Sequence, residues 1–135
     1  MGQRVPSSWG EAAKGIMPSE LWRDIPDRRL QRFIARYLDS PLKIEIIRVL
    51  ARFPNQDYAL EELARLADGK RAEVERELLH LWQSGLVLEH TRGDTKVVRL
   101  SSTPVAREMS FRLWKYCLRP YQRERLLRLV GARHN

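Results

Sequence analysis

Between residues 40 and 101 three short amphipathic helices follow one another with almost no linker, then run into two β-rich stretches closed by a tight turn. Few folds accept that order. Ser40-Pro41 opens the first helix, because serine caps free amides and proline at the first helical position loses no hydrogen bond. Leu42, Ile46, Ile47, Leu50 and Phe53 form its apolar stripe, and Phe53-Pro54-Asn55 ends it. Asp57 to Ala59 leads into a second helix with Leu60, Leu63, Ala64, Leu66 and Ala67, closed by Asp68-Gly69. The third is expected from about Arg71 to Ser84, with Val74, Leu78 and Leu81 on one stripe and Gly85 as its stop. Leu86 to Thr91 and Lys96 to Leu100 read as strands around the hairpin turn Arg92-Gly93-Asp94-Thr95.

The flanks are organised differently. Residues 1–17 mix Gly, Ser and Pro without any period and are expected to form a flexible tail. Residues 18–39 hold two helical signals. Ser19 caps a short segment that stops before Pro26. Asp27 then opens a helix with Leu30, Phe33, Ile34, Tyr37 and Leu38 inside and Arg28, Arg29, Arg32 and Arg36 outside. Residues 104–135 begin with Thr103-Pro104, a repeat of the cap-plus-proline start. Val105, Met109, Leu113 and Cys117 follow at intervals of four, Pro120 kinks or breaks the helix, and Leu126, Leu127 and Val130 continue the pattern. That apolar stripe needs a partner, either the N-terminal helix or a second subunit.

Several function classes fall away. No apolar run is long enough to span a bilayer, and the first twenty residues lack the apolar core of a signal peptide, so a cytoplasmic location is expected. The single cysteine, Cys117, allows no internal disulfide and reads as a small buried side chain. No Cys/His cluster has metal-ligand spacing, so neither metal nor cofactor is expected. Nothing pairs a nucleophile with a base or cradles phosphate with glycines, which argues against an enzyme.

Charge points the other way, toward a polyanionic partner. The net charge is +8 and the pI about 10.2, carried mostly by arginine, the side chain best suited to bidentate phosphate contacts. Its distribution is uneven. Residues 1–39 are net +2, residues 40–103 are net zero, and residues 104–135 are net +6. An Arg-rich C-terminal segment after Pro120 is therefore a candidate for touching flanking DNA phosphates.

Three tightly linked helices with a Gly69-containing turn describe a helix-turn-helix, and the two-stranded ribbon makes it a winged helix. The fold class expected is mainly α, with a winged-helix domain over residues 40–103 and helices on either side. Here the sequence resembles the ArsR/MarR-type regulators of bacteria and archaea. The residues carrying the likeness are Ala59-Leu60-Glu61-Glu62-Leu63-Ala64, the string Val74…Leu78…Leu81…Gly85-Leu86-Val87, and the wing Leu88–Leu100. The resemblance implies a homodimer, joined by helices outside the module, that binds double-stranded DNA with its third helix in the major groove. It places Arg71 and Arg76 at base contacts and Lys70, His80, Arg92 and Lys96 at phosphates. This chain departs from the family habit in one respect. Glu73, Glu75 and Glu77 stand among the reading positions, where carboxylates repel phosphate, although glutamate can accept from cytosine. The alternative is a winged helix used as a protein-interaction module, its acidic third helix facing a protein partner.

Overall fold

The computed structural model describes residues 25–134. The expected tail over residues 1–17 and the segment capped by Ser19 lie outside the described residues. The described elements run α1 (Arg28–Tyr37), α2 (Pro41–Arg52), β1 (Tyr58–Ala59), α3 (Leu60–Leu66), α4 (Arg71–Gln83), β2 (Val87–Arg92), β3 (Thr95–Leu100), α5 (Pro104–Tyr116) and α6 (Pro120–His134). They form a winged helix with flanking helices.

The helix starts obey the capping chemistry of the sequence in two cases of three. Asp27 Oδ1 accepts from the amides of Arg29 (3.0 Å) and Leu30 (3.2 Å) at the head of α1. Ser40 Oγ accepts from the Lys43 amide at the head of α2. Thr103, expected to cap α5, makes no side-chain cap bond, and Pro104 alone sets that start. α2 is the central pillar. Ile44, Ile46, Ile47 and Leu50 are fully buried on it, and α4, α5 and α6 all pack against it.

Two helix ends set the geometry of the module. α4 finishes in a Schellman motif: Gly85 has φ +84°, its amide donates to Trp82, and the Leu86 amide donates to Leu81. The α3–α4 turn uses the same hydrogen-bond pattern with a different residue. Asp68, not Gly69, takes the left-handed conformation, while the Gly69 amide donates to Ala64 at 2.9 Å. Gly69 is needed for space instead, because a Cβ there would lie 2.8 Å from Leu42 Cδ1 and 3.0 Å from Val74 Cγ2.

The hairpin expected from sequence is part of a three-stranded antiparallel sheet in the order β1-β3-β2. β1 pairs Tyr58 with Val98 and Ala59 with Val97; two residues are too short to show a period in sequence. The hairpin itself has a two-residue loop, Gly93-Asp94, with Gly93 at φ +66°, which matches the twist of the flanking strands.

Downstream, Pro120 breaks rather than kinks the chain, giving two helices. The inner face of α5 is Ala106, Met109, Ser110 and Leu113, continued by Cys117. Val105, assigned to that stripe by the four-residue interval, is 56% exposed. An interval of four drifts around a helix of 3.6 residues per turn, so the buried face shifts by one residue over the length of α5. α1 and α2 of the same chain cover the stripe, so it does not demand a second subunit. Cys117 is buried there, and that burial pushes its thiol up to about 12, leaving it unreactive.

Candidate nucleic-acid interface

α4 has a well-defined inner face. Val74, Glu77, Leu78 and Leu81 point into the module, while Ala72, Arg76, Leu79, His80 and Gln83 point to solvent. All six basic residues assigned by sequence to nucleic-acid contact are accessible. Lys70 and His80 are exposed, with no ion pair among the described residues. Arg71 pairs with the equally exposed Glu61 at 3.1 Å, and Arg76 Nε lies 3.5 Å from Glu77 Oε2. The exposed Arg71–Glu61 pair contributes well under 1 kcal/mol and exchanges readily for another anion, whereas the carboxylate beside Arg76 is buried.

Glu77 is a correction. The sequence reading groups it with Glu73 and Glu75 at the reading positions, but it is 6% exposed on the inner face. Its Oε1 accepts from Ser40 Oγ at 3.0 Å and lies 3.7 Å from Lys43 Nζ, which also reaches Asp39 at 2.6 Å. Ser40 thus serves the α2 amides and Glu77 at once, locking α4 to the start of α2. The signal was present in sequence: position 77 lies three after Val74 and four before Leu81, on their stripe. Only Glu73 and Glu75 remain as exposed carboxylates near the outer face.

The wing divides its two assigned cations between opposite faces. Leu88, His90 and Arg92 share one face with Arg99, Val97 and Thr95, whereas Glu89 shares the other with Val98, and Thr91 with Lys96. Lys96 therefore looks toward α4, and together with Arg76 it lines a cleft between helix and wing. It pairs with Glu89 at 3.5 Å. Arg92 looks away, onto Asp57.

Asp57, read in sequence only as part of a connector, organises the far face of the wing. Its side chain is 7% exposed and gathers Arg92 Nη2 (2.5 Å), Arg99 Nε (3.2 Å) and His90 Nε2 (3.3 Å). The Arg99–Asp57 pair is close but lacks hydrogen-bond alignment, since Arg99 Nε and Asp57 Oδ1 have no hydrogen-bond partner among the described residues. Arg92 keeps most of its guanidinium in solvent, yet a buried carboxylate already neutralises it. No local sequence rule links Asp57 to a residue 35 positions on.

The basic C-terminal helices contribute fewer available cations than their charge implies. Arg123 forks onto Glu45 through Nε (2.9 Å) and Nη2 (2.6 Å), and Arg48 reaches the same carboxylate at 2.7 Å. Burial alone would raise the Glu45 carboxyl. Hydrogen bonds from Arg123 and Arg48 more than offset that and hold it below its usual value. Arg112 bonds Asp27 (2.7 Å) and Glu108 (2.6 Å), while Arg107 bonds the Ser101 carbonyl and Asn55. Arg119 and Arg128 remain exposed.

Among the described residues no group of His, Cys, Asp and Glu is placed to hold a metal ion, and no helix is long and apolar enough to cross a membrane.

No protein-family model matches the chain, and no curated protein sequence does. A crystal structure of a transcriptional regulator of the MarR family from Silicibacter pomeroyi is similar over 96% of this chain and 93% of that one, with a TM-score of 0.51 and 20% identity. The ArsR side of the resemblance gains nothing from that likeness. At this identity the likeness shows the fold alone: a winged helix with helices on both flanks, mostly helical with one small antiparallel sheet.

Proposed function

We propose that this protein binds double-stranded DNA as a homodimer and acts as a cytoplasmic transcriptional regulator. The observation that carries the reading is the outer surface of α4. Lys70, Arg71, Arg76 and His80 are exposed there, Arg71 beside the exposed Glu61 and Arg76 beside the buried Glu77. In this reading α4 enters a major groove, with Arg71 and Arg76 at or near base edges and Lys70 and His80 at phosphates. Lys96, and Arg92 after exchange from Asp57, touch the backbone beside it. Burial of Glu77 supports the reading, because it removes one of three expected repulsions. The fold shared with a MarR-family regulator supports it as well.

For the homodimer the support is an apolar patch on the C-terminal helices. Phe111, Leu118 and Tyr121 are exposed, and the half-buried Trp114 stacks beside Phe111 with ring centroids 5.9 Å apart. Leu118→Arg is expected to convert a sedimenting dimer into a monomer without unfolding it. A wild-type monomer across the micromolar range would sink this part.

The direct test of DNA binding is fluorescence anisotropy of labelled duplexes at about 50 and 200 mM salt. Contacts to several phosphates should weaken binding by orders of magnitude across that range. Absence of binding to every duplex at the lower salt would refute the reading. It would favour the protein-interaction module, for which the specific observation is that Leu79 and Trp82 on α4 are each about half exposed.

A further inference from the structure

We propose that the cavity between the end of α2, β1 and α3 binds a free α-amino acid with a branched apolar side chain, holding its carboxylate and its ammonium group together. The cavity encloses about 230 Å³, below the range of drug-sized sites and suited to a smaller molecule. Val49 and Tyr58 are its buried apolar lining, and the exposed Phe53 and Leu66 form its rim. An unspent hydroxyl marks it as a site. Tyr58 is 3% exposed and lines the cavity, yet its hydroxyl has no hydrogen-bond partner among the described residues. A buried polar group without a partner costs free energy, which a ligand atom in the cavity would recover. Burial pushes that hydroxyl above its ordinary value and Glu62 pushes it further, while Arg52 pulls it down. Both charges therefore lie within electrostatic reach of it.

Those two charges are opposite and do not pair with each other. Arg52 lies over the Phe53 ring, its guanidinium carbon 5.1 Å from the centroid, and its N–H donors make no hydrogen bond among the described residues. Glu62, half-buried on α3, makes no ion pair among them either. Arg48, the third charged residue of the lining, is already held by the buried Glu45 at 2.7 Å. A simple anion would be repelled by Glu62, and a simple cation by Arg52. A zwitterion answers both. Its carboxylate takes the Arg52 donors and accepts from the Tyr58 hydroxyl, its ammonium donates to Glu62, and its hydrocarbon covers Val49, Phe53 and Leu66. None of the six cations assigned to DNA contact lines this cavity, so the inference stands apart from the DNA-binding reading.

Leucine, 4-methylpentanoate and 3-methylbutylamine share one branched hydrocarbon body and carry both charges, the negative alone and the positive alone. Each is titrated into the full-length protein without DNA, and the methyl resonances of Val49 and Leu66 are followed by NMR. Leucine is expected to give shifts that saturate by about 10 mM. Each single-charge analogue should bind at least about tenfold more weakly, because it leaves one charged wall unanswered. Arg52→Gln and Glu62→Gln should each weaken leucine binding by a similar factor, and Tyr58→Phe by less. No leucine response at about 10 mM would overturn the proposal. So would an equal response to 4-methylpentanoate, which would make the cavity a plain anion site, or to 3-methylbutylamine. Leucine shifts indifferent to both Arg52→Gln and Glu62→Gln would overturn it as well. The ligand series is run on the unaltered protein, so a variant that folds poorly cannot mask its outcome.

Discussion

The winged-helix module and the helices that flank it use cations in opposite ways. Residues 40–103 are net neutral, yet Lys70 and His80 stand in solvent and Arg71 and Lys96 pair only with accessible acids, while Arg76 and Arg92 sit beside the buried Glu77 and Asp57. Residues 104–135 carry six of the eight excess positive charges, yet Arg107, Arg112 and Arg123 are fixed to partners elsewhere in the chain. Net charge by segment therefore does not measure how many cations are available for anion contact. Availability depends on how buried the opposing carboxylate is, because a buried acid cannot release its cation without a large desolvation penalty. Glu45, Asp57 and Glu77 are such acids; Glu61 is not.

Substitutions can break or sharpen this contrast, and the largest effect is expected at Glu77. Glu77→Lys places a second ammonium beside Lys43 in a buried site and should lower stability by about 3 kcal/mol or more in denaturant titrations. Glu73→Lys, at an exposed position about a quarter turn from the centre of the inner face, should leave stability within about 0.5 kcal/mol while tightening duplex binding. Equal stability of the two variants would mean that Glu77 faces solvent.

Glu45→Gln comes next, at about 2 kcal/mol, because it strips two guanidinium groups of their charge partner. It carries a pH signature. The Glu45 carboxyl is depressed in the folded protein, so the stability it contributes is complete above the ordinary carboxylate range and lost as pH falls through the lowered value. Acid unfolding of Glu45→Gln should therefore begin from a lower stability but fall less steeply. Duplex affinity should hardly change.

Arg112→Ala and Arg71→Ala form a crossed pair with smaller effects. Losing Arg112 should lower stability slightly, through Asp27 and Glu108, and leave the salt dependence of DNA binding alone. Losing Arg71 should leave stability unchanged, weaken duplex binding roughly tenfold, and make the salt slope shallower by about one. The reverse pattern would place the interface on the C-terminal helices.

The module was legible in sequence where a local rule governs it. Ser40-Pro41, Gly85 and the Gly93-Asp94 loop each act through backbone geometry within a few residues, and each stands where the chain demands. β1 was not legible, since its two residues form a strand only because β3 lies beside them. Asp57 was hidden for the same reason: its three partners come from the wing. Val105 and Glu77 were misassigned through faulty phase, one by an interval of four and the other by treating every glutamate as outward. The candidate site was legible as a set of exposed cations. What the fold added was their state of pairing, and the split of Arg92 and Lys96 between two faces of the wing.

The most direct measurement is an amide-resolved NMR titration of the protein with a duplex at low salt. Shifts should concentrate on Lys70 to His80 and on the wing around Lys96, with α1 and α6 quiet, and should disappear in Arg76→Ala on raising the salt. Shifts confined to α6, or none at any ratio, would contradict DNA binding by the winged helix.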